Sequence, residues 1–165
     1  MKRTHAAHWL LILGFVIGYT GYATASRNPL KMGTIVEKEL KAENYYGHYI
    51  IRYITTDKAV PGDTMLYTTW FENTSDTPEN DLYITNPIPE QTLYVPGSAL
   101  GQDCDISFSI DQGKTYHPLH LLKIRGAAGT SRSARPSEYT HIRWHYRKTI
   151  QPKKRHSVAF KVKLL

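Results

Sequence analysis

The stretch "ITNPIPEQTLYVPGSA", residues 84–99, holds two short β-like runs separated by Pro87 and Pro89. Proline cannot donate a ladder hydrogen bond and is confined to the edges and ends of strands. It also drives the preceding residue into an extended conformation. A segment that stays extended but leaves its sheet suits a crossover between two layers. We therefore predict that residues 86–89 carry the chain between the sheets of a β-sandwich, with an ordinary surface loop as the alternative.

The sequence on both sides of this stretch also has the pattern of strands. Apolar residues alternate with polar ones in short runs, and turn signals such as "PGD" at 61–63 and "DQGK" at 111–114 recur about every ten residues. No segment of helical length repeats apolar residues every three and four positions. We predict an all-β antiparallel sandwich of about seven to nine strands. The predicted strands span residues 35–40, 49–55, 64–73, 81–85, 93–95, 104–110, 115–122, 139–146 and 156–164.

Two of these runs predict the centre of the core. Residues 139–146 and 156–164 each place large apolar side chains on one face at a period of two. We predict that Trp144 is buried and faces the other strand. The apolar side chains on the two faces are Ile142, Trp144 and Tyr146, and Val158, Phe160, Val162 and Leu164.

The N-terminus predicts export. Met1-Lys2-Arg3 is basic, residues 9–19 are mainly apolar, and Ala23-Thr24-Ala25 places small residues where a signal peptidase cleaves. The apolar run has 11 residues, well short of the about 20 of a membrane-spanning helix. We expect a signal peptide at 1–25, a linker at 26–33, one domain at 34–165 and no transmembrane segment after cleavage. An uncleaved N-terminal anchor is the alternative.

Charge and cysteine content bound the partners. Removal of Lys2 and Arg3 leaves 19 basic and 14 acidic residues, a net charge of +5. This modest surplus favours anionic neighbours, and export argues against nucleic acid. Cys104 is the single cysteine, so no intramolecular disulfide can form. We expect a buried thiol, with a mixed disulfide or a dimer bridge as alternatives, and the flanking Asp103 and Asp105 argue against a reactive thiolate.

Residues 60–99, "VPGDTMLYTTWFENTSDTPENDLYITNPIPEQTLYVPGSA", resemble the conserved repeat domain of unknown function, number eleven, of bacterial and archaeal surface proteins. That family combines a Pro-Gly-Asp turn, a strand ending in Asn-Thr, a crossover with two prolines and a Tyr-Val-x-Gly-Ser segment. "FSIDQGKTY" at 108–116 and "YTHIRWHY" at 139–146 are similar to its later elements. The matching residues are Pro61, Gly62, Asp63, Asn73, Thr74, Asn86, Pro87, Pro89, Tyr94, Val95, Gly97 and Ser98.

The resemblance implies an immunoglobulin-like sandwich in an exported, non-catalytic protein of the cell surface. It covers about residues 58–164, in one copy rather than a tandem array. A small periplasmic or secreted module therefore fits better than a spacer in a long stalk.

Motifs for chemistry are scarce. His141 and His145 lie four residues apart on a strand, which separates them by about 13 Å and prevents a shared metal ion. His117 and His120 lack a further ligand nearby in sequence. The serines do not form a Gly-x-Ser-x-Gly elbow, and Asp111 fits a turn better than a calcium loop. We expect no catalytic residues, no metal and no cofactor.

Basic side chains form the one candidate site. If residues 139–146 and 156–164 are hairpin neighbours, as their short polar connection suggests, their outer faces join into one patch for an anionic partner. A merely solvated outer face of the sheet is the alternative. The patch comprises His141, Arg143, His145, Arg147, Lys153, Lys154, Arg155, Lys161 and Lys163.

Together these features predict an exported envelope module with a structural or binding role. Its partner would be an unknown envelope protein or an anionic surface component such as lipid headgroups or acidic polysaccharide. The alternative is an accessory or chaperone-like subunit that pairs a strand edge with another exported protein.

Overall fold

The computed structural model describes residues 30–126 and 129–165, so the predicted signal peptide lies outside the described residues. Almost all regular structure in this part is antiparallel β-sheet, together with two 3₁₀ turns at Leu119–Leu121 and Pro136–Glu138. The strands are β1 (Leu30–Glu43), β2 (Tyr49–Ile54), β3 (Thr64–Asn73), β4 (Leu82–Pro87), β5 (Thr92–Tyr94), β6 (Leu100–Gly101), β7 (Cys104–Ser109), β8 (Lys123–Arg125), β9 (Ser131–Ser133), β10 (His141–Tyr146) and β11 (Arg155–Leu164).

Two sheets contain most of the strands. The larger has the order β2-β1-β3-β11-β5, with β6 also paired to β11, and the smaller has the order β4-β10-β7. Strands β8 and β9 form a separate two-stranded ribbon. The predicted all-β antiparallel sandwich is confirmed. The predicted strand at 115–122 is wrong, because this segment forms an isolated bridge at His117 and the 3₁₀ turn Leu119–Leu121 instead. The described residues still contain more strands than predicted, because β6, β8 and β9 are too short to show a period.

The crossover at the two prolines is confirmed. Strand β4 ends at Pro87 in the smaller sheet, and β5 begins at Thr92 in the larger one. Between them the buried Ile88 donates its backbone N–H to the carbonyl of Thr140, at 2.8 Å. The proline-rich segment therefore remains anchored to the small sheet until the chain leaves it.

The core lies between β3 and β11 of the larger sheet and the three strands of the smaller one. Met65, Thr69 and Phe71 of β3 point inward. Trp144 is fully buried and its ring lies 6.0 Å from that of Phe160, so the predicted contact is confirmed. The contact crosses the sandwich, because β10 and β11 belong to different sheets.

The start of the domain differs from the expectation. Strand β1 begins at Leu30 and pairs with β3 from that residue onward, with Leu30 opposite Asn73. Residues 30–33 therefore belong to the sheet rather than to a linker. Gly33 matters here because the indole of Trp70 covers it, and a Cβ at this position would lie 2.7 Å from that ring.

Two turns require glycine, and substitutions there test the backbone. Gly62 has φ +95° and Gly97 has φ +74°, and open space surrounds the position of an added Cβ at both. Gly62→Val and Gly97→Val should each lower the free energy of unfolding by about 1–2 kcal/mol, since an L side chain is strained at positive φ. Urea denaturation measures this, with the exposed Gln102→Val as the control. Losses no larger than the control's would contradict the prediction.

Candidate interaction surfaces

The basic side chains predicted to form one patch lie on opposite sides of the molecule. Strand β10 pairs with β4 and β7, whereas β11 pairs with β3, β5 and β6. The predicted hairpin between β10 and β11 is therefore wrong. Both strands bury their apolar faces against each other across the core, so their polar faces point in opposite directions. His141, Arg143 and His145 lie on the outer face of the smaller sheet, and Lys161 and Lys163 lie on that of the larger sheet.

The other predicted patch residues lie at the ends of these strands. Arg147 follows β10, Lys153 and Lys154 lie in the crossover to β11, and Arg155 begins β11. Several members are paired with carboxylates, which reduces the positive field that an anionic partner would meet. The pairs are His145 with Asp81 (2.8 Å), Arg147 with Asp105 (3.5 Å), Lys153 with Asp76 (3.0 Å), Arg155 with Glu72 (2.6 Å) and Lys161 with Glu39.

Arg143 serves packing on the outer face of the smaller sheet. Its guanidinium lies 3.5 Å from the ring centre of Tyr116 and 5.8 Å from that of Tyr83. Its Nε donates to Oγ1 of Thr85 at 3.2 Å, and Tyr83 stacks on His145 at 4.4 Å. Rings on both sides hold the cation in place through cation–π attraction, so this side chain has a structural role without any ligand.

Asp111 forms a turn, as the sequence favours. Its carboxylate accepts hydrogen bonds from Oγ of Ser109 (2.6 Å), Oγ1 of Thr115 (2.6 Å) and the backbone N–H groups of Lys114 and Thr115. These donors hold the pKa of Asp111 well below its usual range. The nearby His141 has a lowered pKa because it is partly desolvated, an effect that Asp111 opposes.

Cys104 is half-buried at the start of β7, opposite Tyr146 of β10, and its side chain packs against the core. Burial, reinforced by Asp103 and Asp105, raises the pKa of the Cys104 thiol from 9.0 to about 11. A thiolate is the nucleophilic form, so the folded protein holds little of it at neutral pH. This arrangement gives no support to a catalytic cysteine.

A labelling experiment checks the state of Cys104. Iodoacetamide at pH 8 should alkylate the folded protein about a hundredfold more slowly than the urea-unfolded protein, since the two-unit shift reduces the thiolate fraction by that factor. Mass spectrometry of quenched time points gives both rates. Equal rates in the two states would contradict the raised pKa.

A projecting ribbon is the most exposed apolar surface of the described residues. We call residues 38–54, the distal part of β1 with the turn and β2, the arm. Strand β3 pairs with β1 only as far as Lys38, so residues 39–43 pair with β2 alone. The ribbon therefore extends beyond the neighbouring strand of its own sheet.

The arm carries a series of large apolar side chains in contact with solvent. Tyr45 is 95% exposed at the tip, and exposed aromatic or branched side chains occur on both faces of β2. A two-stranded hairpin without a third strand or a core is marginally stable in water, and contiguous exposed apolar surface marks interaction sites. The other exposed apolar side chains of the arm are Tyr46, Tyr49, Ile51, Tyr53 and Ile54.

The sequence contains a signal for the arm in the composition of residues 49–54. Residues 49–54, "YIIRYI", have apolar side chains at both odd- and even-numbered positions, and so on both faces of the strand. They contain one charged residue, Arg52. Such a run is typical of a strand buried on both faces. Here the strand lies at the edge of the sheet instead. A strand that is apolar on both faces, next to the turn at residues 44–48 with its two tyrosines, could therefore have indicated an interface.

Within residues 30–126 and 129–165, His, Cys, Asp and Glu side chains form no group of three or more suited to a metal ion. The same residues include no apolar helix of membrane-spanning length. No family model, curated protein or solved structure matches the chain.

Proposed function

We propose that this chain is an exported, non-catalytic binding module of the bacterial cell envelope, and that the arm contacts its partner. The observation that carries the proposal is the exposure of tyrosine and isoleucine side chains on a ribbon that projects beyond the sandwich. Aromatic side chains are enriched in interface cores, where their large area is buried. The resemblance to surface-protein domains and the signal peptide predicted from the N-terminal sequence support the envelope as the location.

A protein is a better partner than an anionic surface. The predicted basic side chains lie on two opposite faces, and several are already paired with carboxylates. The arm instead offers aromatic and branched side chains together with an open strand edge. The open edge also favours a second candidate function, an accessory or chaperone-like subunit that adds a strand to another exported protein.

Photo-cross-linking in a bacterial host tests the proposal. A photoreactive amino acid replaces Tyr46 in the arm or, as the matched control, Tyr83 on the smaller sheet; both tyrosines are exposed. We expect a discrete protein adduct from Tyr46 in the envelope fraction and none from Tyr83. The mass of the recovered chain should correspond to cleavage after Ala25. Adducts from Tyr83 alone, or an intact N-terminus in the cytoplasm, would contradict the proposal.

A further inference from the structure

The open edge of β2 presents an ordered set of hydrogen-bonding groups. At the turn of the arm the N–H of Asn44 donates to the carbonyl of His48 at 2.8 Å. Antiparallel ladders alternate, so every second residue pair from this point exchanges hydrogen bonds between β1 and β2. The residues between them, Tyr49, Ile51 and Tyr53, direct their N–H and C=O groups away from β1. These groups form the edge that a further strand would bond.

This edge lacks the features by which proteins protect edge strands. It contains no proline or lysine, and its one charged residue is Arg52. At the opposite edge of the same sheet, β5 has three residues and β6 has two, whereas β2 has six. Short edge strands and charges discourage strand addition, and a longer apolar edge favours it. The difference between the two edges indicates that β2, unlike β5 and β6, is suited to pairing with a further strand.

We infer that β2 pairs antiparallel with β2 of a second copy of this chain, with Ile51 on the two-fold axis, so that the two larger sheets form one continuous sheet. The inference rests on the proposed role of the arm as a binding surface and names its partner. A two-fold contact uses the same patch on both subunits, and β2 is complementary to itself in this register.

The register follows from hydrogen bonds and charge together. With Ile51 on the axis, all three outward-facing residues lie opposite one another: Ile51 opposite Ile51, and Tyr49 opposite Tyr53. Arg52 then lies opposite Ile50 of the second copy. A shift that places Arg52 on the axis would set two guanidinium groups side by side, which is unfavourable. It would also pair Tyr49 with residue 55, which lies beyond the end of β2.

The side chains beside the interface are compatible with this arrangement. On the outer face, β1 contributes Glu39, Lys41 and Glu43, each one strand away from the contact. No like charges therefore face each other across the new ladder. The contact itself joins tyrosine to tyrosine and isoleucine to isoleucine, which are favourable cross-strand pairs. A foreign strand would have to supply such a complement, whereas a second copy already has it.

The mass of the purified processed chain in solution is the first test. Light scattering after size exclusion should give about twice the monomer mass at high protein concentration. Ile51→Pro should restore the monomer, because the N–H of residue 51 points to the open edge and its loss leaves the β1–β2 ladder intact. A thermal midpoint equal to that of the original chain, measured at a concentration low enough for both to be monomers, shows that the variant is folded. Ile51→Val is the matched control that should still dimerise.

Disulfide trapping tests the register. In a Cys104→Ser background, Ile51→Cys places two thiols at a hydrogen-bonded pair with Cα atoms about 5.5 Å apart, within disulfide range. Arg52→Cys places its Cα atoms about 8 Å apart or more, outside that range. Oxidation should therefore yield a covalent dimer from Ile51→Cys and monomer from Arg52→Cys.

Several outcomes would overturn the inference. A monomer at every concentration, or equal disulfide yields at positions 51 and 52, would exclude this pairing. Cosedimentation of a monomer with neutral lipid vesicles, abolished by Ile51→Pro, would assign the arm to a membrane surface instead. A monomer whose Tyr46 adduct contains a different protein would overturn self-pairing alone and leave the proposed function intact. The absence of both the dimer and the Tyr46 adduct would overturn the self-pairing of β2 and the proposed function of the arm.

Discussion

Trp144→Ala should lower the free energy of unfolding by about 3–5 kcal/mol, the usual effect of removing a large buried aromatic side chain. Trp144 is fully buried at the centre of β10, and its neighbours in the sheet are Ile84 and Ile106. Its indole packs against Phe160 of the opposite sheet and against the backbone of Gly101. The cavity would open in the middle of the core, where neither sheet can collapse without losing other contacts.

Trp144→Phe is the matched variant for this experiment. The indole Nε1 is buried, and no hydrogen-bond acceptor is found for it among the described residues. Phenylalanine removes this unpaired donor and keeps much of the aromatic volume, so it should destabilise by clearly less than alanine. Urea denaturation followed by circular dichroism gives both values. Equal losses would mean that the phenyl ring recovers none of the indole's packing, and a loss for alanine no larger than that of a surface substitution would refute the burial of Trp144 in the core.

Asn73→Ala should have the second-largest effect, about 2–3 kcal/mol, because each buried polar group left without its partner costs about 1–3 kcal/mol. The side chain is fully buried at the end of β3. Its Nδ2 donates to the carbonyls of Thr77 (2.7 Å) and Ile150 (3.0 Å), and its Oδ1 accepts from the N–H (3.0 Å) and hydroxyl (2.6 Å) of Ser75.

The bond to Ile150 joins the end of β3 to the segment that carries the chain from β10 to β11, and the bonds with Ser75 and Thr77 order the turn that follows β3. The backbone of Asn73 adds two more contacts with that segment, through Lys153 and Lys154. Asn80→Ala is the control, since Asn80 is exposed and its side chain accepts one bond from Thr149. Thermal and urea unfolding should show a large loss for Asn73 and a small one for Asn80. Similar losses would contradict the role of Asn73.

The inner and outer faces of individual strands were predictable from the sequence, and their sheet partners were less so. Alternation identified the inward residues of β10 and β11, because burial of one face imposes a period of two. The two prolines identified the first crossover, because proline restricts both its own backbone and that of its neighbour. Both signals are local and need no knowledge of distant segments.

The second crossover was missed because its local signal is ambiguous. Residues 151–154 are short and polar, which suits a hairpin as well as a passage between sheets. The distinction depends on the sheet partners of β10 and β11. Strand β4 precedes its partner β10 by more than 40 residues, and β3 precedes its partner β11 by more than 80. The predicted basic patch was wrong for the same reason, because it depended on a hairpin between β10 and β11. The arm was missed because the sequence of a strand that is apolar on both faces does not distinguish a buried strand from an edge strand.

The sheet order also determines when this protein can fold during its synthesis. The central strand of the smaller sheet is β10, and β11 joins β3 to β5 and β6 in the larger sheet. Neither sheet can be completed until residues 141–164 have emerged, and pairing across such separations is slow. Strands β1, β2 and β3 can pair with one another earlier, whereas among the described strands β4 and β7 pair with β10, and β5 and β6 with β11. An incomplete chain therefore leaves β4 to β7 without sheet partners, and for the export proposed above that delay suits passage through a translocation channel that admits extended chains.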